Sequence, residues 1–229
     1  MCGIAGVFEN HVNEEKFLKC CRTQLHRGPD NDDVLFFKVD NFNVALGHQR
    51  LSIIDLTSNA NQPMKNNINN SSLVFNGEIY NYIEIRKELE SMGIKFKGTG
   101  DTEVLFQSLK NWGIKKTITK LNGMWAFAWF DSKSNCLYLC RDRFGEKPLY
   151  YIYDNKKIVF ASEIKALLEY TNERYELDLK VIKTYLEKGI INYDENTFFK
   201  KIKQVRPSQF IKIQISFESL DISKHTYWN

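Results

Sequence analysis

No uninterrupted apolar stretch in this sequence approaches the ~18 residues of a membrane-spanning helix, which excludes a helical membrane protein. Proline is scarce, at four residues in 229, and charged residues make up only 26% against 43% hydrophobic. A chain this apolar is far from the low-hydrophobicity, high-charge composition that stays disordered. A strong excess of one charge is also lacking. The net charge is +4, and the lysine pairs Lys115–Lys116, Lys156–Lys157 and Lys200–Lys201 fall in separate segments, whereas a nucleic-acid binder gathers positive charge on one face. The start Met1-Cys2-Gly3 lacks the basic and apolar regions of a secretory signal. Five cysteines are an odd set, so a complete intrachain disulfide framework is excluded; both features favour a reducing, cytoplasmic setting. Metal-ligand spacing is missing too. Cys136 and Cys140 lie in a strand-like run that would hold them ~13 Å apart at ~3.3 Å per residue, and the four histidines show no zinc-ligand spacing.

What is present is enough apolar sequence for a core: one domain of this length buries roughly 70% of the surface its unfolded chain exposes. Gly3 to Phe8 reads as a first strand. Asn13 is placed to cap a helix with Glu14 and Glu15 at its positive end and Phe17, Cys21 and Leu25 on one face. Further strands are predicted at Val34–Val39, Val44–Ile54 and Leu73–Ile79, with the Asn-rich stretch Asn59–Asn70 as a loop. A second helix runs from Tyr82 to Met92, with Ile85, Leu89 and Met92 inward and Gly93 as its stop; a third follows Asp101 and closes at Gly113. Met124–Phe130 with Cys136–Arg141, and Leu149–Tyr153 with Lys157–Phe160, read as hairpins. Ser162 and Asp178 are placed to cap two short helices, and Ile211, Ile213 and Ile215 alternate with polar residues as a late strand. Tight turns between strands imply antiparallel sheets and the α+β class, in one domain.

Three features carry chemistry. Cys2 follows Met1, and removal of Met1 would leave a thiol beside a free α-amine. With unperturbed values near ~8.5 for a thiol and ~7.7–8.0 for an α-amine, the amine can take the thiol proton, so one residue supplies nucleophile and base. Read alone, Cys2 is also a small residue starting a buried strand. Asn76-Gly77 can offer a side-chain amide and a backbone N–H to an oxyanion, although Asn-Gly is also a common turn pair. Arg50 can clamp a carboxylate through two parallel hydrogen bonds, and Glu78 and Asp101 can receive an ammonium group; Asp101 is also placed as a helix N-cap, a position that would keep it ionised. The set suits hydrolysis of the side-chain amide of a free amino acid.

The motifs in order are Met1-Cys2-Gly3-Ile4-Ala5-Gly6-Val7-Phe8, Arg27-Gly28-Pro29-Asp30, Arg50-Leu51-Ser52-Ile53-Ile54-Asp55-Leu56, Gln62-Pro63-Met64 and Phe75-Asn76-Gly77-Glu78-Ile79-Tyr80-Asn81-Tyr82. They are followed by Asp101-Thr102-Glu103, Leu121-Asn122-Gly123-Met124, Arg141-Asp142-Arg143-Phe144-Gly145 and Ala161-Ser162-Glu163-Ile164-Lys165. In these runs the chain resembles the glutaminase domain of the class II glutamine amidotransferases, most closely that of glutamine-hydrolysing asparagine synthetases. The resemblance implies a four-layer αββα N-terminal-nucleophile hydrolase sandwich of two mainly antiparallel sheets over 1–229. It implies Cys2 as nucleophile, Asn76 and Gly77 as oxyanion hole, Arg50 on the glutamine carboxylate, and Glu78 and Asp101 on its ammonium, with backbone groups near Ile53 and Ile54 lining the pocket. Trp125 and Cys140 stand where the family more often has Phe and Ala, both as packing positions.

The family's second, ATP-binding domain grips pyrophosphate with a Ser-Gly-Gly loop, and no such loop occurs here. The resemblance therefore implies no metal or cofactor for this chain, with ATP and Mg expected only on a synthetase domain or subunit that accepts the ammonia. It is compatible with a homodimer. The chain is expected to be the first half of a longer protein or a split subunit. The acceptor it implies first is aspartate, with a sugar or peptide acceptor, or a non-hydrolysing docking or regulatory domain, as the alternatives.

Overall fold

The computed structural model describes residues 1–66, 70–191 and 193–228. In chain order the elements are β1 (Gly3–Glu9), α1 (Glu14–Arg22), β2 (Asn31–Val39), β3 (Phe42–Arg50), β4 (Met64–Lys65), β5 (Ser72–Ile79), α2 (Tyr82–Ser91), α3 (Asp101–Lys120), β6 (Gly123–Asp131) and β7 (Cys136–Arg141). Then come β8 (Tyr150–Asp154), β9 (Lys157–Ala161), α4 (Ile164–Thr171), α5 (Leu179–Lys188), β10 (Lys203–Gln204), β11 (Gln209–Ile215) and β12 (Leu220–Thr226). They form two six-stranded sheets, β10-β8-β9-β1-β3-β2 and β12-β11-β7-β6-β5-β4. The named pairings are antiparallel, both predicted hairpins among them.

The near-continuous apolar runs of the central strands follow from burial on both faces. Side chains alternate across a strand, and here each parity fills a different core. Ile4, Phe8, Val44, Leu46, Val74, Ala126, Ala128, Leu139, Ile211 and Ile213 meet between the sheets. The opposite parity of the second sheet, Leu73, Phe75, Trp125, Phe127 and Trp129, packs on Ile85, Leu89, Val104, Leu105 and Leu109 of α2 and α3. The opposite parity of the first sheet, Ala5, Val7, Ala45 and Val159, packs on Phe17, Cys20 and Leu167 of α1 and α4. Three cores require four layers, which is the αββα sandwich. Trp125 and Cys140 are fully buried packing residues.

Helix ends fall as expected where a side chain or a glycine fixes them. Asn13 Oδ1 accepts the Lys16 N–H at 2.9 Å, and Asp178 Oδ1 accepts those of Lys180 and Val181 at 3.1 and 3.2 Å. Gly93 and Gly189 take φ of 84° and 65° just past α2 and α5, the left-handed geometry glycine tolerates.

Other elements depart from the sequence reading. Gly113, at φ 74° and ψ 173°, does break the helix that starts at Asp101, but a second helical stretch, which was not expected, follows directly and carries α3 on to Lys120. Ser162 does not cap α4: its Oγ accepts the Ile4 N–H at 3.0 Å and so stitches β9 to β1. β3 stops at Arg50, not Ile54, because its partners β1 and β2 begin opposite Gln49 and Arg50. Leu25 and Met92, expected inward, lie just beyond their helices and are exposed. β12 was not expected; of its side chains only Leu220 is fully buried, so its pattern is faint. Within 59–70 a single helical turn (Ser58–Ala60) and β4 interrupt the expected loop, and residues 67–69 lie outside the described residues.

The turn Arg27–Asp30 lies against the end of β3, with the Asp30 N–H on the Arg50 carbonyl at 3.0 Å. A Cβ at Gly28 would sit 2.4 Å from both the Arg50 carbonyl carbon and the Gln49 oxygen. Gly28→Ala is expected to destabilise the fold by about 1–3 kcal/mol through backbone displacement, lowering the calorimetric melting temperature by roughly 2–4 °C per kcal/mol. An unchanged melting temperature would contradict this close approach.

Candidate active site

The inter-sheet core changes character at one end of the sandwich. Strand parity carries Ile4 back to Cys2, Val44 and Leu46 on to His48 and Arg50, and Val74 on to Asn76. The same stripes that are apolar in the middle thus end in a thiol, a cation and an amide. At this end His48 ties the two sheets together, and Gln62 pins the loop before β4 to β5. His48 Nε2 donates to the Phe75 carbonyl at 3.1 Å, and Gln62 brackets the same residue, accepting its N–H at 2.6 Å and donating to its carbonyl at 3.2 Å. Burial holds His48 down to about 4, so it is a neutral donor near pH 7.

Cys2 is half-buried, with its Sγ 3.4 Å from the Leu51 N–H that points at it. Burial pushes the thiol up from its ordinary value; the Leu51 N–H, the N-terminal charge and Arg50 pull the other way. The resting thiol is therefore protonated at neutral pH and needs a base. In the structure Met1 precedes Cys2 and is exposed, open to removal by an aminopeptidase. The remaining cysteines are buried, and burial drives Cys21 up to about 12 and Cys20 and Cys140 well up.

Arg50 ends β3 with its guanidinium buried and fixed. NH1 donates to the Thr57 carbonyl at 3.0 Å and to Asn61 Oδ1 at 2.6 Å, and NH2 donates to the Asp55 carbonyl. Three donated bonds leave N–H capacity among its five for a ligand carboxylate. Asp55 also fixes the opposite wall. Its carboxylate accepts the Thr57 hydroxyl at 2.6 Å, the Thr57 N–H at 3.0 Å and the Thr99 N–H at 2.7 Å, and these bonds, the hydroxyl first, draw it down to about 2. One residue thus joins the loop carrying Arg50's anchors to the segment that leads into α3.

Asp101 is the first residue of α3; Gly100 is the N-cap and makes no side-chain cap bond. The expectation of an N-capping, readily ionised Asp101 is corrected accordingly. Its Oδ2 accepts the Ile79 N–H at 2.9 Å. Burial, with nearby Glu78 adding to it, raises the carboxyl to about 6, against the lowering by backbone N–H groups. A ligand ammonium would restore its charge.

One pocket beside the thiol brings together Cys2, Arg50, Ile53, Ile54 and Asp101, with Leu51, Gln62 and Thr102. Ile53 is largely exposed at the rim of this pocket. Asn76, Gly77 and Glu78 do not line this pocket; they sit beside it on β5. Asn76 is 1% exposed, and its Nδ2 has no hydrogen-bond partner among the described residues. An unpaired buried donor is costly, and this one is available to an oxyanion. Gly77 is required by packing: a Cβ there would meet the Met124 oxygen at 2.2 Å and Trp125 Cα at 2.7 Å.

Sequence reasoning missed several supports. Arg27 Nε donates to the Cys2 carbonyl at 2.9 Å, and Asp55, Thr57, Asn61 and Gln62 act through contacts that no spacing reveals. Arg27, Asp55 and Gln62 stood in the quoted motifs, whereas Thr57 and Asn61 stood in none. Among the described residues no group of three His, Cys, Asp or Glu side chains is placed to hold a metal ion, and no helix is long and apolar enough to cross a membrane.

Residues 1–228 match the model of a glutamine amidotransferase domain family. The chain is 38% identical over 217 residues to asparagine synthetase [glutamine-hydrolyzing] 1 of Bacillus subtilis, covering 92% of this chain and 33% of that protein. It is 34% identical over 235 residues to asparagine synthetase [glutamine-hydrolyzing] 3 of the same organism, covering 100% and 37%. The chain thus spans less than half the length of these relatives. Among solved structures, the glutamine phosphoribosylpyrophosphate amidotransferase of B. subtilis superposes with a TM-score of 0.72 at 18% identity, over 99% of this chain and 49% of that one, a likeness of fold.

Because Asp101 is protonated more readily folded than unfolded, its ionisation opposes folding. The sign is fixed: the native state binds the extra proton, so stability is lost as pH rises from about 4 through about 6. Asp101→Asn keeps an acceptor for Ile79 and removes that charge. Its stability is expected to exceed the parent's at pH 8 by on the order of 2 kcal/mol, read as a higher melting temperature, and to converge with it at pH 4. A difference constant with pH would contradict the assignment.

Proposed function

Because the chain belongs to the glutamine amidotransferase domain family, we propose that it hydrolyses L-glutamine to glutamate and ammonia through a γ-glutamyl thioester on Cys2. The observation that carries the reading is the pocket in which Cys2 meets the Arg50 guanidinium and the Asp101 carboxylate, with the unpaired Asn76 amide beside it. A free amino acid has one group for each charged wall: its carboxylate for Arg50, its ammonium for Asp101 and Glu78. A peptide-linked glutamine lacks one of them.

After loss of Met1, the α-amine of Cys2 takes the thiol proton as sulfur attacks the side-chain carbonyl carbon. Asn76 Nδ2 and the Gly77 N–H stabilise the resulting oxyanion. The ammonium then returns its proton to the amide nitrogen, the C–N bond breaks and ammonia leaves. Water, deprotonated by the same amine, attacks the thioester, releasing glutamate and restoring the thiol. With Met1 in place the base is an amide nitrogen, and the unprocessed chain is inactive in this scheme.

The ammonia serves an amide-forming synthetase domain or subunit. Given the names of the relatives, the acceptor is aspartate and the product asparagine. Activation by ATP with Mg is assigned to that partner.

Cys2→Ala is expected to lower glutamate release from glutamine by about 10³-fold or more, and N-acetylglutamine to be a poor substrate of the unsubstituted chain. Measured release that survives Cys2→Ala would contradict the mechanism, and equal turnover of the two amides would contradict the charged walls.

A further inference from the structure

The segment Ala161-Ser162-Glu163 joins β9 to α4 and has no part in the scheme above, yet it grips the start of β1 at two successive residues. Ser162 brackets Ile4: its Oγ accepts the Ile4 N–H at 3.0 Å and its own N–H donates to the Ile4 carbonyl at 2.9 Å. Glu163 reaches Cys2 through one intermediary. Its Oε1 accepts Arg27 NH1 at 2.9 Å, and Arg27 Nε donates to the Cys2 carbonyl at 2.9 Å. The Arg27 side chain is only 8% exposed, so it has little freedom outside this arrangement. Glu163 is itself over-determined: His26 Nε2 lies 2.9 Å from Oε1 and Lys165 Nζ 3.0 Å from Oε2. Burial works against its charge, but hydrogen bonds from Arg27, Lys165 and His26 bring it down to about 2.

We infer that Glu163 is a positioning residue that orients the Cys2 nucleophile and its α-amine base by fixing Arg27 on the Cys2 carbonyl. The inference rests on the proposed glutaminase reading. Its physical basis is that an N-terminal residue is tethered on one side only. Once Met1 is gone, thiol and amine are both substituents of the Cys2 Cα, and the chain holds that carbon through its carbonyl alone. Rotation of the first peptide plane would move nucleophile and base together, away from Asn76 and the pocket. A planar guanidinium bonded on one edge to the carbonyl and on another to a fixed carboxylate resists that rotation, which a lysine point charge cannot do. Near-attack geometry is sensitive to displacements of about 1 Å.

The experiment uses Met1-free protein and compares Glu163→Ala, Glu163→Gln, Arg27→Lys and the Arg27→Lys/Glu163→Ala double variant. Glu163→Ala is expected to lower kcat about tenfold or more with the glutamine KM unchanged within about twofold, because geometry and not substrate binding is lost. Glu163→Gln keeps the shape without the charge and is expected to lower kcat by a smaller factor. The double variant is expected to be no slower than the slower single variant, because both residues act in one chain. Wild-type kcat in folded Glu163→Ala, or single-variant losses that multiply in the double variant, overturns the inference. If Glu163→Ala does not fold, wild-type kcat in Glu163→Gln does so. Failure of the glutaminase reading looks different, since the unsubstituted Met1-free chain then releases no glutamate. The clamp is then judged from the pH midpoint of Cys2 alkylation by iodoacetamide: a shift in Glu163→Gln supports it, and an unmoved midpoint overturns it.

Discussion

The rest of the structure depends on the closure of two antiparallel sheets over a shared apolar gap. Each central strand must satisfy that gap with one parity and a helix layer with the other, so its register is specified twice. A slip of one residue would exchange Ile4 with Ala5 or Val74 with Phe75 and misfit both layers at once. The same rigidity aims the functional groups. Cys2, His48, Arg50 and Asn76 are the next inward positions of stripes already fixed by apolar packing, and they need no separate scaffold to converge.

At the end where the stripes turn polar, the energetic problem is unpaired burial. The structure solves most of it with its own groups: Arg50 is bonded to Thr57, Asn61 and Asp55, and Asp55 in turn to Thr99. Among the groups left incompletely satisfied at this end, which include His48 Nδ1, Gln49 Oε1 and Arg27 NH2, three bear on chemistry: the Cys2 thiol held protonated by burial, the Asp101 carboxyl raised to about 6, and the Asn76 amide without a partner. Buried titratable groups with shifted ionisation are functional-site candidates, and under the proposed scheme two of these deficits are met by parts of one substrate and the third by the protein's own α-amine. A base would ionise the thiol, an ammonium would ionise Asp101, and an oxyanion would engage Asn76.

Much of this was legible in the sequence because the relevant signals are local. The inward alternation of Ile211, Ile213 and Ile215, the caps at Asn13 and Asp178, and the stops at Gly93 and Gly189 depend on neighbours within a few residues. The pocket residues were legible through motifs, and Cys2 through its place behind Met1. What was not legible lies in contacts far apart along the chain. Ser162 has the form of an N-cap yet serves Ile4, and Asp101 looks like a cap but is buried against Ile79. In each case tertiary burial overrode a correct reading of local propensity. Arg27 and Gln62 stood in recognised motifs but their roles required coordinates, because a hydrogen bond to a carbonyl elsewhere leaves no periodic trace.

The central claim is that Cys2 forms a covalent acyl intermediate, and it can be read directly by mass. Met1-free protein turning over glutamine is quenched in acid, digested and analysed for acylated peptides. The account predicts a γ-glutamyl adduct on the N-terminal peptide at Cys2, present only with glutamine. Steady glutamate release with no adduct there, or an adduct on any other cysteine, would contradict it.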